Sequence, residues 1–303
     1  MEIRQAKSSD RKEILSFCTN TFSWGDYIDQ VWDYWFSDKN SDGRLFVAVD
    51  DDEGDGDRKK RKKIGMSHVA ICSGSNKMAW LEGVRVHPEH RRSKVATELL
   101  ETMLAYAGRR GARRASAIVS SENVPSQRMM EKNGFAVISR WVYYSTDQKF
   151  GRQTSEARLA TLADLGRIWV YLQSSQIYRL SAGKYVKAWH WYPLDKKALK
   201  WLIQEKSVAI TVGDNGIDGI VIINAKGYWR RTDVLQIVYL DSESKKALQH
   251  LIAFAANMYE SKKYRHMHIV CYDSKIITSM LHSFKKEEDS ELFLLYSKEL
   301  FMP

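Results

Sequence analysis

The stretch from Trp80 to Phe135 constrains the fold of this chain more than any other: WLEGVRVHPEHRRSKVATELLETMLAYAGRRGARRASAIVSSENVPSQRMMEKNGF. Trp80 to Val86 is rich in β-branched and aromatic residues and stops at Pro88, which predicts a strand. Polar residues fill Glu89 to Lys94. From Val95 the apolar positions Val95, Leu99, Leu100, Met103, Leu104 and Ala107 recur at helical spacing until Gly108 and Gly111. Ala115 to Val119 is a second short apolar run. Ser126 to Asn133 follows Pro125 and is closed by Gly134, as a helix would be.

The loop between the first strand and its helix has a chemistry of its own. Amides at a helix start point outward without intrahelical partners, the macrodipole is positive there, and Arg91, Arg92 and Lys94 add charge. Such a loop suits a pyrophosphate. An ordinary solvated connection is the competing reading, because phosphate loops usually carry glycine for close backbone approach and this one has none.

The combination of these elements resembles the GCN5-related N-acetyltransferase (GNAT) superfamily. The family's Q/R-x-x-G-x-G/A loop aligns with Arg91-Arg92-Ser93-Lys94-Val95-Ala96, where Arg91 and Ala96 match and Lys94 stands in place of the internal glycine. Its second motif matches at Asn123, Ser126, Gly134 and Phe135, and its central-strand pattern at Val84, Val86 and Pro88. The resemblance implies an α/β fold with a mixed sheet and an acetyl-CoA-dependent N-acetyltransferase that transfers acetyl directly to a primary amine. It implies that the Val84-Arg85-Val86 backbone pairs with the pantetheine arm and that Arg91 and the amides of Arg92, Ser93, Lys94, Val95, Ala96 and Thr97 surround the pyrophosphate. Asn123 and Ser126 would complete the pantetheine side.

Glu82 is an acid amid apolar strand neighbours. It is either the base that frees the amine of its proton or a strand-edge carboxylate in a structural pair. Many family members place a proton-donating tyrosine where this chain has Met130. Tyr143 or Tyr144, on the last strand of the first half (Ala136 to Ser145), would substitute, or each is a packing residue. The aromatics Trp24, Tyr27, Trp32, Tyr34 and Trp35 belong to the region that covers the acceptor side in the family; most read as core, with one or two left to line an acceptor pocket.

Length supports about two domains. The second half, after a polar segment at 147–156, repeats the order of elements: strand at Ala157 to Ala160, helices at Thr161 to Gln173 and Leu194 to Gln204, three strands between Val208 and Leu240. A long helix from Ser244 to Tyr259, a strand at His266 to Tyr272, a helix near Ile276 to Phe284 and a last strand at Leu292 to Tyr296 complete it. Two tandem GNAT-like acyl-CoA N-acyltransferase domains are therefore expected, 1–147 with the acetyl-CoA site and 155–303 as a degenerate copy. The second lacks an arginine-rich loop and the Asn motif. The aromatic run Trp189 to Pro193 is either an edge of the acceptor cleft or a structural cluster.

The net charge of +10 raises nucleic acid as a partner. The basic residues are dispersed and match no nucleic-acid motif, so none is expected. Cys18, Cys72 and Cys271 suggest neither disulfides nor zinc, and no metal is expected. No apolar run approaches the roughly 18 residues of a membrane helix, and the N-terminus shows no signal pattern; a cytoplasmic location is expected. Six acids between Asp50 and Asp57, then six bases from Arg58 to Lys63, read as a surface insertion between two strands. A non-catalytic acyl-CoA sensor or scaffold is the alternative function, motivated by Lys94 and Met130.

Overall fold

The computed structural model describes residues 1–19, 21, 25–36, 42–51, 61–72, 77–228, 231–261, 264–281, 284–286 and 292–300. The centre of the acidic–basic tract (52–60) and Trp24 lie outside the described residues. The chain runs β1 (Glu2–Gln5), α1 (Arg11–Cys18), α2 (Ile28–Phe36), β2 (Arg44–Asp51), β3 (Arg61–Cys72), β4 (Met78–Val86), α3 (Val95–Arg109), β5 (Arg114–Ser120), α4 (Val124–Lys132) and β6 (Ala136–Thr146). It continues with β7 (Arg158–Leu159), α5 (Leu165–Ser174), α6 (Gln176–Leu180), β8 (Lys184–Lys187), β9 (His190–Pro193), α7 (Lys196–Gln204), β10 (Val208–Gly213), β11 (Gly216–Asn224) and β12 (Val234–Asp241). Last come α8 (Lys245–Ser261), β13 (His266–Tyr272), α9 (Lys275–Met280), β14 (Lys285–Lys286) and β15 (Phe293–Glu299).

Two compact units form, and they are not consecutive halves of the chain. The first comprises 1–119, 124–136 and 296–303; the second comprises 120–123 and 137–295. In the first, β1 to β4 make an antiparallel meander, β5 pairs with β4 in parallel after the α3 crossover, and β15 lies on the other edge of β5. Leu300 N donates to Arg113 O at 2.8 Å, and Ser297 Oγ lies 3.1 Å from Ser116 Oγ. The apolar stripe of α3 is buried as its spacing predicts, with Leu99, Met103 and Ala107 inaccessible.

In the second unit the sheet order is β6-β13-β12-β11-β10-β7. Every residue of β12 is buried, and Leu248, Leu251, Ala255 and Tyr259 of α8 close over the sheet. The 147–156 segment is tied down along α8: Phe150 N donates to Glu260 Oε1 at 2.7 Å and Gln153 N to Asn257 Oδ1 at 2.8 Å. The aromatic run forms a β8–β9 hairpin. Trp191 is fully buried and Trp189 packs on Tyr143 at 5.0 Å, so here the run is a structural aromatic cluster.

A local motif occurs once in each unit. Arg4 makes a bidentate pair with Asp10 at 2.7 and 2.8 Å, and Arg158 makes the same pair with Asp164 at 2.8 and 2.8 Å. Each aspartate also accepts a backbone amide, from Lys7 or Thr161, and so caps the turn into α1 or α5. The underlying pattern is Glu-x-Arg-x-Ala-x-x-x-Asp, at Glu2 to Asp10 and again at Glu156 to Asp164. Burial opposes the charge of Asp10, but Arg4 and the Lys7 amide outweigh it and hold its pKa below the usual range. The Arg158 hydrogen bond, chiefly, holds Asp164 well below it.

His268 on β13 is buried, with Nδ1 2.8 Å from Tyr228 Oη, and burial pushes its pKa down from 6.5 to about 3. The folded state keeps this ring neutral, so below the unfolded pKa only the unfolded chain takes up the proton. The ring's contribution to stability is therefore complete above about pH 6.5 and is lost as pH falls towards about 3. Urea midpoints measured from pH 7 to pH 4 should show His268→Gln losing less stability than the wild type, by about 1.4 kcal/mol per pH unit below the unfolded pKa. Parallel pH profiles would show that His268 is not the responsible group.

Candidate active site

The site grows from a departure of β4 from its neighbours. β4 pairs with β5 only over Met78 to Trp80, opposite Arg114 to Ser116, although β4 runs on to Val86. On its other side His68 faces Glu82 and Met66 faces Arg85, so Gly83 and Val84 together oppose Ser67 alone. That is a β-bulge, which twists a strand and re-aims its side chains. Gly83 has φ +69°, and a Cβ there would lie 2.7 Å from the Trp35 ring. No other residue fits the position.

Beyond the split lies a cleft of about 560 Å³. Val84 and Val86 of β4 line it, as do Pro125, Ser126 and Met129 of α4. His90, Arg91 and Arg92, followed by Lys94, Val95, Ala96 and Thr97, complete its lining. The approach to α3 is left-handed twice, at Arg92 (φ 69°) and Lys94 (φ 62°), and no side chain caps the helix. Successive amides in such a turn make an anion-binding concavity. Gly65 lets the first turn of α3 come close: a Cβ there would meet Val95 Cγ1 at 2.9 Å.

Residues 11–135 match the model of the acetyltransferase (GNAT) family. The match covers 125 of the chain's 303 residues, from 11 to 135. No curated protein sequence matches the chain significantly. Among solved structures, a GCN5-related N-acetyltransferase of Sphaerobacter thermophilus is 13% identical, with a TM-score of 0.60 over 98% of this chain and 95% of that one. A GCN5-related glucosamine N-acetyltransferase region in a fungal multi-domain GH3 β-N-acetylglucosaminidase is 11% identical, with a TM-score of 0.65 over 98% of this chain and 38% of that one. These likenesses show an α/β fold shared with acyl-CoA N-acyltransferases. No helix among the described residues is long and apolar enough to cross a membrane.

The sequence-derived coenzyme residues divide within the family-matched stretch. Val84, Val86, Arg91, Arg92, Lys94, Val95, Ala96, Thr97 and Ser126 line one cleft; Arg85, Ser93 and Asn123 are not among its lining residues. Arg85 is turned towards the segment before α2, where its Nε and Nη2 donate to Asp26 at 2.7 and 2.9 Å and its guanidinium lies 5.2 Å from the Tyr27 ring. Burial works against that charge, but Tyr27 and Asp26 raise the arginine's pKa above its ordinary value. Burial also pushes the Tyr27 hydroxyl and the Cys18 thiol up to about 12, so neither is ionised near neutrality.

Glu82 is nearly enclosed, and its Oε1 lies 2.8 Å from His68 Nδ1. Sequence reasoning missed His68, because nothing local marks a histidine whose partner lies across a strand pair. Tyr143 and Tyr144 are on β6 in the second unit, opposite Val270 and Ile269 of β13; Tyr144 is part of that unit's apolar cluster. Met130 is buried on α4. Tyr27, Trp32 and Trp35 are buried or half-buried around α2, and Tyr34 is exposed. Among the described residues, His87, Glu89 and His90 offer metal-ligand atoms within 4.8 Å of one another, but Glu89 is occupied by Lys62 Nζ at 2.8 Å.

The left-handed backbone at Lys94 sits where the family's loop has glycine. An L-residue held there costs about 1 kcal/mol relative to glycine. Lys94→Gly is therefore expected to raise the melting temperature by about 2–4 °C, while Lys94→Ala gives no gain. Calorimetric melting of the three proteins checks this; equal gains for both variants would refute the strain.

Proposed function

We propose that the first unit is an acetyl-CoA-dependent N-acetyltransferase that transfers acetyl directly to a primary amine. The observation that carries the reading is the bulged, divergent end of β4, which places Glu82 and the cleft-lining Val84 and Val86 on one short stretch of strand. The residues present fit the coenzyme: an uncapped helix start, two left-handed residues and three cations face one cleft. Bound there, acetyl-CoA would supply the activated acetyl thioester.

The roles of the chain's own residues follow from this placement. Amides from Arg92 to Thr97 hold phosphate, with Arg91 adding charge. Val84 and Val86 offer strand-edge backbone, Ser126 closes the α4 side, and Glu82 takes a proton from the incoming ammonium so that nitrogen is free to attack.

The tandem architecture belongs to the same proposal. In the second unit β12 also pairs in parallel with β13 over only Val234 to Ile237, and it has a bulge at Val238. Its helix start is occupied, however: Ser244 Oγ accepts the Ala247 amide at 3.2 Å. At its end Asp241 is buried and accepts hydroxyls from Tyr239, Ser175 and Tyr171 at 2.6, 2.7 and 3.1 Å. The shared strand split and bulge, with a capped helix start in place of an open one, support a degenerate copy.

Titration calorimetry with acetyl-CoA tests the reading, comparing wild type with Ala96→Glu. Val95 is a core position and would test folding instead. Saturable binding that the variant loses, followed by turnover of one amine among a polyamine, an aminoglycoside, a lysine peptide and a free peptide N-terminus, is the expected result. Absence of binding by the wild type would overturn it; binding without turnover would favour a sensor.

A further inference from the structure

We propose that His68 is the positioning residue for Glu82, so that the base is a histidine–carboxylate pair and not a lone carboxylate. This rests on reading Glu82 as the base. The two residues are directly opposed in the β3–β4 register, with Nδ1 and Oε1 2.8 Å apart and side chains 4% and 10% exposed. A pair at this depth is held in one geometry by its surroundings. Trp35 stacks on the imidazole with centroids 4.5 Å apart and planes within 7°. On another side the backbone of Gly43 is so close that a Cβ would lie 3.0 Å from His68 Nε2. Trp35 in turn reaches β4 beside Glu82, where it leaves room only for Gly83.

The surroundings are mostly apolar or already paired. Among the described residues, the ionisable groups nearby include Tyr27 and Cys18, which stay protonated, and the Asp26–Arg85 pair, joined at 2.7 and 2.9 Å. β2 presents Leu45 opposite His68, and α2 presents the Trp35 ring. A hydrogen bond to the charged form of a carboxylate favours ionisation in such a place. With Nδ1–H donated to Oε1, the carboxylate is fixed in orientation. When an N–H bond of the acceptor ammonium breaks, an O–H bond forms on Glu82, and His68 keeps its own proton. After release of the product, that proton passes to water and the pair is restored.

Two variants separate hydrogen bonding from packing. His68→Phe keeps a flat ring against Trp35 and removes the donor; His68→Asn places an amide N–H near the position of Nδ1 and gives up the ring. With acetyl-CoA and the amine turned over fastest in the panel above, His68→Phe should lower kcat about tenfold to a hundredfold, the loss of one hydrogen bond to a charged group. KM for acetyl-CoA should stay within about twofold, and the acidic limb of the kcat profile should move to higher pH, because the undonated carboxylate holds its proton more tightly. His68→Asn should restore most of kcat. A fully active Phe variant, or Phe and Asn variants impaired alike, would overturn the positioning role. Imidazole nitrogen NMR decides the pairing independently of turnover: the His68 Nδ1–H resonance should shift in Glu82→Gln, and an unmoved resonance overturns the proposal even if the acetyltransferase reading stands. A wild type that turns over no amine, with the resonance shifted, would instead retire Glu82 as a base.

Discussion

Glu82→Gln is expected to lower turnover by about 10²- to 10⁴-fold, while acetyl-CoA affinity changes by no more than about twofold. The substitution is close to isosteric, and its amide oxygen can still accept from His68 Nδ1, so the fold around Trp35 and Gly83 is retained. What disappears is the capacity to hold a proton. An alkyl amine with a pKa of about 10.4 is free only to about one part in a thousand at pH 7.4. Without a base in the site, the enzyme must wait for that fraction. The variant's kcat/KM for the amine should therefore climb about tenfold per pH unit from pH 7 to pH 9, more steeply than the wild type's, and the deficit should narrow as pH rises. A deficit constant across that range, or no deficit, would remove Glu82 from the role and leave it a structural partner of His68.

Parts of this site were legible because their causes are local. Pro88 ends the strand, the Val95–Leu99–Met103 spacing declares α3, and the cationic run before it announces a loop that lines the cleft. What escaped depends on partners far along the chain. Arg85 reads as one of three strand residues facing the coenzyme, yet it is tied to Asp26, and only a lone cation in an apolar strand hints at a buried carboxylate elsewhere. Lys94 reads as a missing glycine; the backbone adopts the glycine-like conformation anyway. The hairpin at Ala188 and Trp189 likewise takes positive φ at both residues without glycine or asparagine, so no turn signal was available. The repeated Glu-x-Arg-x-Ala-x-x-x-Asp pattern was a signal in plain view, and its meaning is the paired clasp at Asp10 and Asp164.

The interleaving of the units leads to the other large expected effect. A fragment of residues 1–147 should not fold, although it holds the whole family-matched region. Without β15, β5 is held only by the pairing with β4 over Met78 to Trp80, and one edge of buried Ala115, Ser116 and Ala117 loses its strand. Tyr296, fully buried in the native chain and joined to Glu131 Oε1 at 3.1 Å, is lost with it. At the same time β6 is separated from β13, which bares Trp141, Val142 and Tyr144 along an unpaired edge that invites aggregation. Each large apolar side chain withdrawn from burial costs about 1.5–3 kcal/mol, against a total stability of about 5–15 kcal/mol. Adding residues 292–300 through a glycine–serine linker should restore the β5 edge and with it a cooperative urea transition, because β15 needs no more than its own strand to pair there. A cooperative transition in the unsupplemented fragment would mean that β4, α3 and the meander stabilise the unit alone, and that the strand from the chain's far end is an ornament of the fold instead of a requirement for it.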